Sequence, residues 1–442
     1  MKNNLYYLII LFFLFNCSSK KDELLIDIKA FKNQGTEIFL ENNKENLSEE
    51  IKKVKKISNY QSFNLNNWFH PNFQNSNFIP HSQYSGSLNI KKKTKHFSSV
   101  KSNIYEKNIL SFDNKLFYVD DLGSIYSLDL NLGILKKFSL YKKKDFQDYL
   151  LKFSLSSDGE YLYISDNLGN IHSYDPKLNK IKWSTKLGVP FVSNLVLYKN
   201  NLYVLNDNGK IYSFDSKTGS QNWSYESATN ILKNYSAFQV VADLDKLIFS
   251  NDLGDIYCID LVQKNLAWSI NVEVNTNLAI SNNLLRLSKI IIKDNDVFIS
   301  TNKNKIININ LNTGQINWSQ DLPYSSTVTS LVVPNNIINF TDNGYVSIFD
   351  KANGSILYKK NILSHFKNLI KKSGKDFIFK YAFISSNYLY IVSQNGIFFK
   401  IDTSDFNNIS YKKIAKHLSS NPVIILNNIY ILDGNGAIYQ IN

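Results

Sequence analysis

The chain is poor in the residues that carry chemistry. It has two cysteines, one methionine and seven prolines in 442 residues, and among its 50 basic residues a single arginine, Arg286. Two cysteines, Cys17 and Cys258, without a Cys-x-x-Cys, exclude a disulfide framework and a dithiol redox motif. The six histidines (His70, His81, His96, His172, His365 and His417) include no two at metal-ligand spacing. There is no Gly-rich phosphate loop, no Gly-x-Ser-x-Gly and no Cys-x-x-Cys-His. These absences argue against an enzyme and leave no cofactor or metal to expect. The net charge of +13 comes from lysines spread along the chain, as at Lys91-Lys92-Lys93 and Lys142-Lys143-Lys144. A nucleic-acid site needs a concentrated basic face, so no nucleic-acid partner is expected. Weak attraction to an anionic surface is the most this charge implies.

What the chain has in plenty is one phrase, roughly Asn/Asp-x-x-Gly-x-Ile-Tyr-x-x-Asp. Its Gly position falls at Gly123, Gly169, Gly209, Gly254, Asn304, Gly344, Gly396 and Gly436, spaced 40 to 52 residues apart. An aromatic follows, at Trp183, Trp223, Trp268, Trp318 or Tyr358, shifted by one place at Phe138 and Tyr411. A fixed period of this length marks a repeat architecture. Each unit reads as four short strands rich in Ile, Val, Tyr and Phe, broken by Gly or Asn turns where positive φ is needed. The fold expected is all-β, an eight-bladed β-propeller of four-stranded antiparallel blades. The last repeat stops at its third strand, at Asn442. An N-terminal strand within Tyr84 to Phe97 is therefore expected to complete that blade and close the ring, removing an open edge. The repeated aromatic reads as inter-blade packing. The Asp/Asn turns read as hairpin turns, since they lack the later Glu of a calcium loop.

The N-terminus carries a separate signal. Lys2 precedes an apolar run from Leu5 to Phe15, too short to span a bilayer comfortably and of the length of a secretory h-region. Cys17 follows it directly, as in a bacterial lipoprotein signal. The expected organisation is a signal peptide over 1–16, a polar tether over 17–60, with a short helix over 48–57, and the propeller over 61–442. Cys258, on a strand, reads as a buried, inert thiol.

Segments such as Asn208-Gly209-Lys210-Ile211-Tyr212-Ser213-Phe214-Asp215, followed by Thr218-Gly219 and Trp223, resemble the pyrroloquinoline-quinone (PQQ)-like repeats. With a lipoprotein signal and eight repeats, the chain resembles the BamB family of outer-membrane β-barrel assembly lipoproteins. The resemblance implies a non-enzymatic scaffold, lipidated at Cys17 and held at the periplasmic face of the outer membrane. It would bind the periplasmic domains of the barrel-forming subunit, and nascent outer-membrane proteins are a further partner it suggests. It also implies which residues bind: inter-blade connections carrying Leu and Arg. These match Leu232 and Lys233, with Lys where the family has Arg, and Leu285-Arg286-Leu287. Arg286 has independent weight, because a lone arginine in a lysine-rich chain presents a planar fork of donors that lysine lacks. The long crossovers, 271–287 and 359–380, are expected on the same face as these connections. The alternatives are a propeller lipoprotein binding another envelope protein or a glycan, and a PQQ-dependent dehydrogenase, which needs a cation site and an acidic base in the central funnel.

Overall fold

Eight sheets follow one another along the chain, six of them laid out in sequence order from the innermost strand to the outermost, and the other two with an N-terminal strand at the outer edge. The computed structural model describes residues 50–52, 57, 61–95, 97, 106–142, 150–229, 235, 237–272, 285–366 and 377–442, all within the unit Glu49–Asn442. The signal segment, Cys17, Leu232, Lys233, and residues 273–284 and 367–376 of the two long crossovers lie outside the described residues.

Blade 4 shows how the repeat becomes structure. Its strands are Gln239–Asp243, Lys246–Ser250, Asp255–Asp260 and Asn265–Asn271, paired antiparallel throughout. The second strand is buried on both faces apart from its first residue, because neighbouring blades cover it. Outermost strands are solvated on one side, and Lys180–Lys186 of blade 2 alternates strictly between exposed and half-buried. The turn between the second and third strands is built by the repeated acid or amide. Asn251 Oδ1 accepts the N–H groups of Leu253 (3.1 Å) and Asp255 (2.9 Å), and Asp166 Oδ1 does the same for Leu168 and Asn170 (both 2.9 Å). The Gly position lies at positive φ, +81° at Gly254, and Asn304 adopts φ +60° in its place. The Asp six residues on caps the next turn, as Asp215 Oδ1 does by accepting from Lys217 and Thr218.

The aromatic position docks each blade on the next. In blades 2 to 6 a β-bulge lies immediately before Trp183, Trp223, Trp268, Trp318 or Tyr358 and increases the local twist. The indole of Trp268 lies against Gly314 of blade 5 and donates to Leu311 O at 2.8 Å. Trp318 repeats this on Gly354 and Lys351 O (2.9 Å), and Trp183 on Gly219 and Ser216 O (3.0 Å). Cys258 is fully buried behind Trp268, and burial pushes its thiol up to about 12.

Closure follows the expected route. Ile90–Lys93 pairs antiparallel with Ile438–Ile441 as the fourth strand of blade 8. Two features were not anticipated. Ile51–Lys52, within the segment expected to be helical, is a strand added to the outer edge of blade 6, opposite Tyr358 and Lys359. The open main chain of an outermost strand favours such pairing over a solvated helix. The second feature is a plug. Residues 61–84 run across the end of the ring formed by the C-terminal ends of the innermost strands. Their main chain bonds to blade after blade: Trp68 N–H to Ser111 O (2.6 Å), Phe69 O from Ser157 N–H (3.0 Å), Asn75 O from Ala242 N–H (3.1 Å), Ser76 O from Ile292 N–H (3.0 Å) and Leu65 O from Leu426 N–H (2.9 Å). Trp68 is 1% exposed and meets Phe73 edge-on.

Candidate functional site

The plug turns the central channel into a blind funnel of about 450 Å³. Its walls come from every blade, at the residues that begin each innermost strand: Glu106 and Asn108, Lys152 to Ser154, Asn194, Gln239, Lys289, Thr327, Lys380 and Tyr381, and Asn421. Its floor is His70, Pro71 and Asn72 of the plug, and Asn421 Nδ2 donates to Pro71 O (3.3 Å). The mouth opens on the face that carries the inter-blade crossovers, where Arg286, Tyr235 and Ile378 line it. Each of these three flanks a connection that the repeat spacing had placed on one face.

At the mouth, residues 285–287 alternate in, out, in. Leu285 (4% exposed) and Leu287 (6%) are buried in the cluster with Val241, Ile290 and Trp268. Leu287 bridges to Thr301, and Arg286 exchanges main-chain bonds with Asn302, its C=O accepting at 2.9 Å and its N–H donating to Asn302 Oδ1 at 2.8 Å. The leucines thus fix the loop, and only Arg286 of the three is exposed. Among the described residues its guanidinium has no carboxylate within ion-pair distance.

The funnel is electrostatically one-sided. Glu106 bonds Lys289 at 3.1 Å. Burial pushes the Glu106 carboxyl up, but the ammonium groups of Lys289, Lys380 and Lys152 outweigh it and hold the group below the usual carboxylate range. About a quarter of the Glu106 side chain (24%) is still accessible, through the funnel, although protein surrounds it. Lys152 is drawn down to about 8 by burial first and then by the charge of Lys289.

His70, 1% exposed at the floor, is held down to about 3 by burial and then by Lys289. The unfolded chain takes up this proton near 6.5, the folded chain only near 3. Below pH 6.5 the unfolded state therefore binds more protons, and stability falls as the pH falls towards 3. His70 alone contributes a loss of about 2 kcal/mol by pH 5. Urea midpoints measured from pH 7 to 5 are expected to fall, and His70→Gln to remove that part of the slope. An unchanged slope in the variant would contradict a neutral His70.

Residues 144–360, spanning blades 2 to 6, match the family model described as outer membrane protein assembly factor BamB. The fold is a β-propeller of PQQ-like repeats, and over residues 144–360 the chain is similar to that family. Among solved structures it is similar to BamB from Moraxella catarrhalis, at TM-score 0.63 and 14% identity over 80% of this chain and 99% of that one. It is also similar to a europium-containing methanol dehydrogenase, at TM-score 0.61 and 10% identity over 83% and 89% of the two chains. An uncharacterized protein of Rickettsia conorii is 21% identical over 398 residues, covering 75% of this chain and 93% of that protein. At these identities the likenesses are of fold. The propeller of this PQQ-like repeat chain is built by its turn acids, glycines and tryptophans, which are spent on hairpins and blade docking. No helix among the described residues is long and apolar enough to cross a membrane.

Proposed function

We propose that the chain is a non-enzymatic scaffold of outer-membrane β-barrel assembly. It would be held by lipidated Cys17 at the periplasmic face of the outer membrane, and dock through its crossover face on the periplasmic domains of the barrel-forming subunit. The observation that carries this reading is the match of residues 144–360 to a family described as an outer-membrane assembly factor. Arg286 supports the choice of face. It is an exposed fork of donors, with no carboxylate in ion-pair distance among the described residues, on a loop anchored by two buried leucines, which is how an interface hot spot is presented. Leu232 and Lys233 belong to the neighbouring connection and would extend the same surface. The mechanism is recognition, with no bond made or broken. The second reading is a quinone-dependent enzyme, and absorbance of the purified chain separates the two.

The test is retention of envelope proteins on the immobilised full chain, wild type against Arg286→Ala. The wild type is expected to retain the barrel-forming subunit, and the variant to retain at least about tenfold less. Its melting temperature should not change, because the guanidinium has no partner within the described fold. Retention of a different envelope protein or a glycan, with no barrel-forming subunit, would overturn the proposal.

A further inference from the structure

On the side of the ring that the plug closes, away from the funnel mouth, a second cavity of about 510 Å³ lies between the plug and blades 5, 6 and 7. Its floor is Leu331 and Val333, where the innermost strand of blade 6 ends, and Ile384 of blade 7, all buried. Its walls are Phe63, Phe78 and Pro80 of the plug. These walls are fixed by their main chain. Phe63 N–H donates to His81 O (2.9 Å), Phe63 O accepts from Gln83 N–H (2.9 Å), and Ser82 N–H donates to Ile384 O (3.2 Å). This ladder ties both stretches of the plug to blade 7 and leaves the Phe63 ring 50% exposed beside the cavity. A single exposed apolar side chain is ordinary. Apolar plug side chains standing over a buried apolar floor around one hollow make the concave, mostly apolar kind of site that takes a small molecule.

The charges decide the class of ligand. Asp294 accepts from Lys351 (2.7 Å) and Lys293 (3.4 Å), and Lys351 lies 4.0 Å from Asp296 as well. Two ammonium groups thus face two carboxylates. Lys293 also lies over the Phe78 ring, 4.7 Å from its centroid. His81 Nε2 donates to Ser386 O at 2.7 Å. The lysines and carboxylates at the cavity balance one another, so a charged ligand would lose its hydration here and gain no counter-charge. What the cavity offers is apolar surface and two phenylalanine rings, which favour the offset or edge-on approach of another ring. The exposed Gln61 side chain adds a neutral polar group to the lining.

We propose that this cavity binds a small uncharged aromatic molecule, held between the Phe63 and Phe78 rings and the floor of Leu331, Val333 and Ile384. The site does not depend on the assembly role: it lies on the face away from Arg286 and needs no partner protein.

The test is photo-cross-linking of the purified full chain with benzophenone, an uncharged aromatic probe, followed by mass spectrometry of the digested protein. Cross-links are expected to saturate with probe concentration and to concentrate in the peptides that carry Phe63 to Pro80 and Leu331 to Pro334. The probe para-benzoylbenzoate has the same rings and a carboxylate. It should label these peptides at least about tenfold less at equal concentration, since its charge finds no partner. Phe63→Ser removes a half-exposed wall and should weaken benzophenone binding by about fivefold. Val262→Ser, at an exposed apolar residue of blade 4, should label as the wild type does. The comparison of the two probes stands whether or not the Phe63 variant folds. Absence of saturable labelling, cross-links spread over exposed side chains such as Val262 and Leu178, or equal labelling by the two probes would overturn the proposal. None of these outcomes bears on Arg286, so this site and the assembly reading fail separately.

Discussion

Removing residues 87–97 is expected to abolish cooperative folding of the whole ring rather than to loosen one blade. This segment supplies the fourth strand of blade 8, and Asn89 and Asn442 exchange main-chain bonds at 2.6 and 2.8 Å. Thr94 N–H reaches Ile438 O at 2.9 Å and Phe97 N–H reaches Gly436 O at 3.1 Å. Phe97 then crosses the seam to pack on Tyr126 and Tyr118 of blade 1, with ring centroids 4.6 and 5.8 Å away. Each main-chain bond contributes about 0.5–1.5 kcal/mol, and the half-buried Phe97 ring adds part of the about 1.5–3 kcal/mol that full burial gives. Together they rival the 5–15 kcal/mol that typically holds a domain. The loss also exposes an unpaired edge at Ile438–Ile441. A milder probe is Gly86→Val, whose Cβ would stand 2.5 Å from the Asn442 carbonyl carbon. Urea denaturation should show no two-state transition for the deletion and a lowered midpoint for Gly86→Val. A deletion variant melting within a few degrees of the wild type would mean that closure lies elsewhere.

The second large effect is at the blade-to-blade lock. Trp268→Ala is expected to cost about 3–5 kcal/mol, the usual cost of emptying a buried tryptophan site. It also leaves Leu311 O without the 2.8 Å bond from the indole. Gly314→Ala is expected to cost a comparable amount by a different route. The residue sits at φ +74°, which an L side chain adopts at about 1–2 kcal/mol, and its Cβ would lie 2.7 Å from the Trp268 ring. The two costs should not add. Once the ring is gone, only the backbone strain of Gly314→Ala remains, so the double variant should be more stable than the sum of the singles implies. A double-mutant cycle by urea denaturation reads this directly, and strict additivity would show that the ring and the glycine are not in functional contact.

These locks were legible in the sequence because they recur. A residue at positive φ, glycine in seven repeats and Asn304 in the other, and an acid or amide at the turns recur through all eight repeats, and a tryptophan that covers the next blade recurs in four. The missing strand was legible for the same reason, as a gap in a periodic pattern at Asn442. The plug left no such trace. Residues 61–84 bond mainly through their main chain to blade ends, as Phe69 O and Ser76 O do, and main-chain bonding selects no side chain. The strand at Ile51–Lys52 is two residues long, too short for any period to show. The funnel lysines were hidden by distance: Lys152, Lys289 and Lys380 look like three of many scattered lysines until the ring brings their strand starts together. Arg286 stood out by being alone. The buried partners on either side of it did not, since a leucine in a connection reads equally as an anchor or as a contact surface.

The most direct measurement is a titration of the purified full chain with the isolated periplasmic domains of the barrel-forming subunit, followed by calorimetry. A scaffold of this class should bind saturably at one to one and lose that binding when Arg286 is replaced by alanine. A flat titration, with a bound quinone absorbance in the purified chain, would contradict the scaffold and make the propeller an enzyme.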